Sequence, residues 1–154
     1  MGLVAALGLA LDQWTKHLAV TRLDPTDPPT YLGGFLRLLL VRNPGAAFSL
    51  GTGATVVISC LAIAATLALL VWAPRLRGSA QGALAGLALA GVVGNLVDRL
   101  LRPPGPLRGH VIDFISLPHF AVFNVADICL TVTAAIVVLA SFWSPRERSS
   151  EDTR

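Results

Sequence analysis

The sequence predicts an all-α membrane protein, a bundle of four transmembrane helices with a small β-rich platform at one membrane face. Of its 154 residues, 54% are hydrophobic and only 14% are charged, whereas soluble domains contain about 25% charged residues. A chain of this length cannot hide so much apolar surface from water. Four of its segments also approach the roughly 20 apolar residues that a lipid-spanning helix needs. We therefore expect residues 1–154 to form a single integral membrane domain.

The four predicted spans differ in where they carry charge. They comprise residues 2–20, 54–73, 79–98 and 123–143. The second span is uncharged, whereas the first carries Asp12 and Lys16 in its second half and the fourth carries Asp127 near its start. No basic segment precedes the first span and Asp12 interrupts its apolar run. This span is therefore predicted to be a retained helix rather than a signal peptide.

Two long loops are predicted on the same side of the bundle, over residues 21–53 and 99–122. The first opens with turn-forming residues, DPTDPPT, and then returns to high hydrophobicity. Its residues 35–42 have a strand-like length and alternation, although both faces are mostly apolar. Short strands that lie on the membrane surface are therefore expected there. The polar tail after Trp143 is expected to be frayed.

The distribution of arginines leaves the orientation in the membrane open. Four spans place both termini on one side, and the positive-inside rule should identify that side as cytoplasmic. With the termini lie Arg75, Arg77, Arg146, Arg148 and Arg154. On the opposite side lie Arg22, Arg37, Arg42, Arg99, Arg102 and Arg108. Neither side has a clear excess, so the residues alone do not decide between them.

Several classes of function have no support in the composition. The net charge is only +3 and no dense basic run exists, so nucleic-acid binding is not expected. Cys60 and Cys129 lie in apolar runs, where they are expected to be inert core residues. Ser49 and Ser116 lack a positioned base, which argues against a serine protease. The histidines are scattered, at His17, His110 and His119. We therefore expect neither a metal site nor an organic cofactor.

Polar residues cluster at one predicted membrane face. They are Asp12, Lys16, Asn43, Asn95, Asp98, Arg99, Asp113, Asn124 and Asp127. Ionisable groups at membrane depth are costly, so they usually face a cavity and serve a function. Asn124 and Asp127 are three residues apart and share a helix face. Asp113 lies in the apolar stretch HVIDFISL, which would bring its carboxylate to the membrane surface.

Two carboxylates on separate elements, supported by amides, are what an aspartic protease needs. One is ionised and activates water, and the other is protonated and donates to the scissile carbonyl. Two other classes stay open on the residues alone. One is a small proton-coupled transporter with acidic relay groups, and the other is a non-catalytic membrane scaffold. Asp12 and Lys16 could also form only a surface ion pair, and Asp98 with Arg99 could only anchor a helix end.

Five motifs resemble those of lipoprotein signal peptidases. They are DQWTK (12–16), NPGAAFS (43–49), GNLVDR (94–99), VIDF (111–114) and FNVAD (123–127). They occur in the order found in that family, between similarly placed spans, and the resemblance extends over about residues 5–143. It implies a membrane-embedded aspartic endopeptidase. Such an enzyme removes signal peptides from bacterial prolipoproteins by cleaving before a diacylglyceryl-modified cysteine.

The resemblance also implies roles for individual residues. Asp113 and Asp127 would be the catalytic pair that activates water. Six residues would bind substrate or orient the pair: Asn43, Gly45, Ala46, Asn95, Arg99 and Asn124. Three would support the structure: Asp12, Lys16 and Asp98. The small residues beside Asn43 would let a substrate backbone come close.

Location and partners follow from the same resemblance. Both termini would lie in the cytoplasm of a bacterium, and the site and the β-rich platform would lie at the extracytoplasmic face of its inner membrane. The partners would be a lipid-modified prolipoprotein and membrane lipids, without nucleic acid, and the protein is expected to be a monomer. Arg99 and Asp113 are separated by a longer link than is usual in the family. Its Pro-rich part, residues 102–109, is predicted to lengthen a surface loop.

Overall fold

The computed structural model of the protein describes residues 1–45 and 52–143, and four long helices account for most of these ranges. The helices are α1 (Gly2–Arg22), α2 (Thr52–Trp72), α3 (Ser79–Leu101) and α4 (Val125–Trp143). By length and composition α2, α3 and α4 could cross a membrane, and among the described helices α1 does not meet that criterion. The second half of α1 carries polar residues that lower its hydropathy. The helical prediction is confirmed with four helices, of which three are identified as candidate spans.

A small antiparallel sheet lies beside the helices. Its strands are β1 (Thr30–Tyr31), β2 (Leu36–Asn43) and β3 (Val111–Ser116), in the order β1-β2-β3. The strand-like pattern predicted over residues 35–42 is confirmed as β2. The sequence did not predict β3 as a strand. Its residues 111–114 are buried on both faces of the strand, so they lack the apolar–polar alternation of a strand with one face in solvent.

Small residues on α3 let it pack closely against the other three helices. A Cβ atom added to Gly94 would lie 2.7 Å from the Oδ2 atom of Asp12, and one added to Gly91 would lie 2.7 Å from the carbonyl oxygen of Ala126. Neither distance is tolerable, so these two positions need glycine. The close packing brings the polar residues of α1 and α4 against α3.

The C-terminal end of α3 is joined to β3 by hydrogen bonds. The Asp98 carboxylate accepts from the backbone N–H of Ile112 at 3.2 Å, and the Arg99 carbonyl accepts from the Gly109 N–H at 3.0 Å. Ile112 is completely buried and packs with Ala19 of α1. These contacts fix β3, and with it Asp113, against the end of the helical bundle.

The Pro-rich segment 102–109 folds back onto the bundle. Its Leu107 carbonyl accepts from the buried Ser59 hydroxyl of α2 at 2.8 Å. The His110 N–H donates to the Pro103 carbonyl at 3.1 Å, which closes the segment on itself. Several of its side chains are exposed, in keeping with a surface loop, yet its backbone is tied to α2.

Candidate active site

Asp127 lies in the first turn of α4, where it forms a reciprocal pair with Asn124. The Asp127 N–H donates to the Asn124 Oδ1 atom at 3.0 Å, and the Asn124 N–H donates to the Asp127 Oδ2 atom at 3.2 Å. Asn124 is therefore the N-cap of α4, and the pair forms a capping box in which an aspartate takes the place of the usual glutamate. The motif FNVAD thus begins a helix and fixes a carboxylate at its positive end.

Asp113 lies on β3 and is held by two side-chain amides. Its Oδ1 atom accepts from the Asn124 Nδ2 atom at 2.6 Å, and its Oδ2 atom accepts from the Asn43 Nδ2 atom at 2.9 Å. Val41 and Asp113 are paired across the β2–β3 ladder, which brings Asn43 alongside. Asn124 thus binds both carboxylates, and it links the start of α4 to the sheet.

Asn95 on α3 completes this network. Its Nδ2 atom donates to the Asp127 Oδ1 atom at 2.8 Å. Its Oδ1 atom accepts from the Asn124 Nδ2 atom at 3.1 Å and from the Lys16 Nζ atom at 3.0 Å. The three amides, from β2, α3 and the start of α4, therefore surround the two carboxylates.

Beneath the amides, Lys16 forms two ion pairs. Its Nζ atom lies 2.8 Å from the Asp12 Oδ2 atom and 2.9 Å from the Asp98 Oδ2 atom. All three side chains are 0% exposed, so the alternative of a surface pair between Asp12 and Lys16 is wrong. Asp98 also pairs with Arg102. Its contacts with Lys16, Arg102 and Ile112 agree with an anchoring role at the end of α3.

Arg99 lies beside the two carboxylates with part of its hydrogen-bonding capacity unused. Its side chain is buried, and its Nη1 atom donates to the Asn95 carbonyl at 3.3 Å. Its Nε atom has no hydrogen-bond partner among the described residues. Attraction to Asp113, Asp127 and Asp98 opposes the cost of burying its charge. A buried donor without a partner is costly in a protein, and it can be satisfied by a bound ligand.

The loop after β2 enters the site through Gly45. Its N–H donates to the Asn43 Oδ1 atom at 2.8 Å, and its φ of +90° is one that L side chains rarely adopt. This bond fixes the Asn43 amide with its Nδ2 atom toward Asp113. Ala46, predicted to act in the same loop, lies outside the described residues.

The environment of Asp113 makes its carboxyl easier to protonate than that of an ordinary aspartate. Burial raises the pKa of this carboxyl to about 6, and the nearby charge of Asp127 adds to the rise. The hydrogen bonds from Asn43 and Asn124 and the charge of Lys16 oppose it. A carboxyl with a raised pKa can serve as the acid while a second carboxylate serves as the base, which is the arrangement that hydrolysis by two carboxyl groups requires.

An apolar cavity of about 270 Å³ opens beside Asp127. It is lined by Leu117, Phe120, Phe123, Ile128, Thr131 and Val132 together with Asp127 itself. One ionisable group in an otherwise apolar cavity favours a ligand that is mostly hydrocarbon but has a polar reacting group.

Some residues of the site were not found by sequence reasoning. Gln13 donates to the Asp12 Oδ2 atom and to the Gly94 carbonyl, both at 3.0 Å. Thr55 on α2 donates to the Pro44 carbonyl at 2.5 Å. Gln13 could have been noticed because it follows Asp12 within the first motif. A single threonine in an apolar helix carries no such pattern, since hydroxyls commonly bond within their own helix.

A helical membrane protein with two amide-held carboxylates at one end of its bundle has the features of a membrane-embedded aspartic endopeptidase. The model of the family described as Signal peptidase (SPase) II matches residues 4–143. The chain belongs to the signal peptidase II family. This membership confirms the predicted enzyme class and the predicted function, the removal of signal peptides from prolipoproteins.

Individual relatives agree with this membership. The chain is 44% identical over 140 residues to the lipoprotein signal peptidase of Mycobacterium avium (strain 104), and the match covers 91% of this chain and 77% of that protein. It is 42% identical over 141 residues to the lipoprotein signal peptidase of Leifsonia xyli subsp. xyli (strain CTCB07), with 90% of this chain and 65% of that protein covered.

Two solved structures, each described as a bacterial membrane enzyme, have the same fold. The first has a TM-score of 0.77 at 26% sequence identity and covers 99% of this chain and 93% of the other. The second has a TM-score of 0.78 at 27% identity and covers 93% of this chain and 92% of the other.

Proposed function

We propose that the chain hydrolyses the peptide bond before the diacylglyceryl-modified cysteine of bacterial prolipoproteins, with Asp113 and Asp127 as the catalytic pair. The observation that carries this assignment is that Asn124 binds both carboxylates, through its Nδ2 atom to Asp113 and its N–H to Asp127. Asp113 also receives an amide donor from Asn43, and Asp127 receives one from Asn95. Carboxylates fixed in this way need little reorganisation when charge moves between them.

The environments of the two carboxylates support different roles. Asp127 lies at the N-terminus of α4, where negative charge is stabilised, and it would be the base that removes a proton from water. Asp113, whose pKa is raised by burial to about 6, would be the acid that protonates the carbonyl oxygen as the water oxygen attacks the carbonyl carbon. The tetrahedral diol then collapses when Asp127 returns its proton to the leaving nitrogen and Asp113 recovers a proton from one hydroxyl. The C–N bond breaks and both groups regain their starting states.

Substrate binding is assigned to the residues around the pair. The Arg99 guanidinium, buried and with a free Nε donor among the described residues, suits a carbonyl oxygen of the substrate. Asn43, Gly45, Asn95 and Asn124 orient the pair, and Ala46 would allow the substrate backbone to come close. The apolar cavity beside Asp127 suits hydrocarbon of the lipid-modified substrate.

The proposal also includes four membrane-spanning helices, with both termini in the cytoplasm and the sheet outside. The side chains of Asp12 and Lys16 are completely buried, whereas the opposite face of α1 exposes apolar side chains. They are Leu3, Leu7, Leu11 and Trp14. An apolar outer face with buried charges suits a helix in contact with lipid. The protein would act as a monomer among the lipids of the bacterial inner membrane.

The test is cleavage of a synthetic peptide that carries a lipobox with a diacylglyceryl-modified cysteine. Purified protein in detergent should yield two products, with the cut before the modified cysteine, and an unmodified peptide is the matched control. A proton-coupled transporter or a scaffold would release no product. Absence of cleavage with the modified peptide would therefore return the choice to those two classes.

A further inference from the structure

We propose that Lys16 is a positioning residue for the catalytic pair, because it fixes the Asn95 amide so that the nitrogen faces Asp127. This inference rests on the assignment of Asp113 and Asp127 as the catalytic pair. Lys16 does not bind either carboxylate directly among the described contacts. It acts through the Asn95 Oδ1 atom, which lies 3.0 Å from the Lys16 Nζ atom.

The donor and acceptor pattern around Asn95 permits one orientation of its amide. The Oδ1 atom receives N–H donors from Lys16 and from Asn124, and the Nδ2 atom donates to the Asp127 carboxylate. An ammonium group has three donors and no acceptor. Rotating the amide by half a turn would place its NH₂ against two other donors and its oxygen against a carboxylate. Lys16 therefore opposes this rotation at the oxygen that it binds.

Lys16 is itself held rigidly from two sides. Asp12 and Asp98 lie within 2.9 Å of its Nζ atom, and all three side chains are 0% exposed. Asp12 also accepts from the Ala126 N–H of α4 at 2.8 Å. Ala126 is the residue before Asp127, so the same cluster that holds Lys16 also holds the backbone beside the carboxylate.

Stability alone is a weak reason to bury this cluster. Replacing buried ion pairs by well-packed apolar residues is often neutral or stabilising. The cluster has two carboxylates for one fully buried ammonium, and the additional cation, Arg102, is 24% exposed. A directional donor aimed at Asn95 is something that an apolar side chain could not supply.

The charge of Lys16 also acts on Asp113. The charged groups around Asp113 are Asp12 and Lys16 on α1, Asp98 and Arg99 on α3, Arg102 directly after α3, and Asp127 on α4. Among them Lys16 lowers the pKa of Asp113. Loss of the ammonium would raise that pKa further. The basic limb of the activity profile would then move to higher pH, which a purely structural residue would not cause.

The test is a double-mutant cycle with Lys16→Met and Asn95→Ala, assayed with the diacylglyceryl-modified peptide at equal folded concentration. Each single change should lower kcat by up to roughly 100-fold, as small misplacements of catalytic groups do. If Lys16 acts through Asn95, the double variant should be no slower than Asn95→Ala alone when each variant is assayed at its own pH optimum, which removes the separate effect of Lys16 on the pKa of Asp113. Losses that multiply would overturn the inference.

A charge-matched variant covers the case in which Lys16→Met does not fold. The combination of Lys16→Met with Asp12→Asn keeps the summed charge of Asp12, Lys16 and Asp98 unchanged, and Asp12→Asn alone is its control. It should fold with reduced kcat, and that loss should vanish in an Asn95→Ala background. Failure of this variant to fold would assign Lys16 to folding and overturn the inference. The wild-type enzyme and the Asp113→Asn and Asp127→Asn variants, assayed in parallel, separately test the proposed catalytic pair.

Discussion

Asn124 and Asp127 cap each other at the start of α4, each accepting the backbone N–H of the other at 3.0 and 3.2 Å. The same Asn124 side chain donates to Asp113 at 2.6 Å. One residue therefore begins the helix and joins the two carboxylates. Helix formation and alignment of the proposed catalytic pair are linked at this point.

Two substitutions at Asn124 should separate these roles. Asn124→Ala loses the cap and the bond to Asp113, so it should cost about 1 kcal/mol of stability and most of the turnover. Asn124→Ser is the matched control, because serine is also a favourable N-cap but its shorter side chain lacks an NH₂ group for Asp113. It should keep more of the melting temperature than Asn124→Ala, because the cap is retained, and still lose turnover. Equal activity of Asn124→Ser and wild type would contradict the role of the amide.

The hydrogen bond from Asn43 should control the pH dependence of the enzyme. This bond lowers the pKa of Asp113, which burial has raised to about 6. Asn43→Ala removes a partner of the ionised form, so the pKa should rise further and Asp113 should stay protonated to higher pH. The basic limb of kcat/KM should then move upward while the maximal rate falls. The measurement is a pH profile beside Arg42→Ala, an exposed neighbour whose change should leave the limb in place.

Close packing of α3 predicts a large effect for one added methyl group. A Cβ atom at position 94 would lie 2.7 Å from the Asp12 Oδ2 atom and 3.0 Å from the Ala126 Cβ atom. Gly94→Ala should therefore push α1 and α4 apart and lower both the melting temperature and turnover. Overpacking of this kind costs roughly 1–3 kcal/mol.

Gly82 provides the control for this change in the same helix. An added Cβ atom there would meet its nearest neighbour, the Met1 nitrogen, at 3.4 Å, which is an ordinary contact. Gly82→Ala should therefore be neutral or slightly stabilising, since alanine favours a helix over glycine by about 1 kcal/mol. Similar melting temperatures for both variants would show that α1 and α4 can move away from position 94 without loss of stability.

The parts that sequence reasoning could predict are those with a local pattern. Apolar runs of helix length predicted the four helices. The three-residue spacing of Asn124 and Asp127 predicted that they lie together, although Asn124 is the N-cap of α4 and not part of its face. The alternation in residues 35–42 predicted a strand there. These features depend on neighbours within one or two turns, so the sequence displays them directly.

Contacts between distant segments could not be predicted in this way. The Asp12 carboxylate accepts the Ala126 N–H across 114 positions of the chain, and the Ser59 hydroxyl binds the Leu107 carbonyl. Both depend on how the helices pack, which no spacing in the sequence encodes. The complete burial of Lys16 has the same origin. On an isolated helix it would look like half of an ordinary ion pair with Asp12.

The proposed orientation can be tested by labelling of introduced cysteines. In a background without Cys60 and Cys129, Asp27→Cys should react with an impermeant thiol reagent on spheroplasts, because the loop after α1 would lie outside. Arg77→Cys, in the connection between α2 and α3, should react only after the membrane is permeabilised. Both positions are exposed, so access depends on the membrane alone. The reverse pattern would place the sheet in the cytoplasm.

The strongest prediction concerns the two carboxylates as a unit. They are joined through Asn124, and the proposed mechanism uses one as the acid and the other as the base. Removing either carboxylate removes the base or the acid. The activity profile of the wild-type enzyme should accordingly be bell-shaped, with one ionised and one protonated carboxyl group at its maximum.

Asp113→Asn and Asp127→Asn should each nearly abolish cleavage of the diacylglyceryl-modified peptide. Their combination should be little worse than either alone, because residues that act as a unit have non-additive effects.

Asp98→Asn is the matched control, since its carboxylate binds Lys16, Arg102 and the Ile112 N–H rather than the proposed reacting atoms. It should lose stability but keep more activity per folded molecule. Turnover is compared at equal folded concentration, with melting temperatures measured alongside because Asp127 also caps α4. Loss of a catalytic group costs roughly 100-fold or more. If Asp113→Asn or Asp127→Asn kept about a tenth of wild-type turnover, the aspartyl mechanism at this pair would be ruled out.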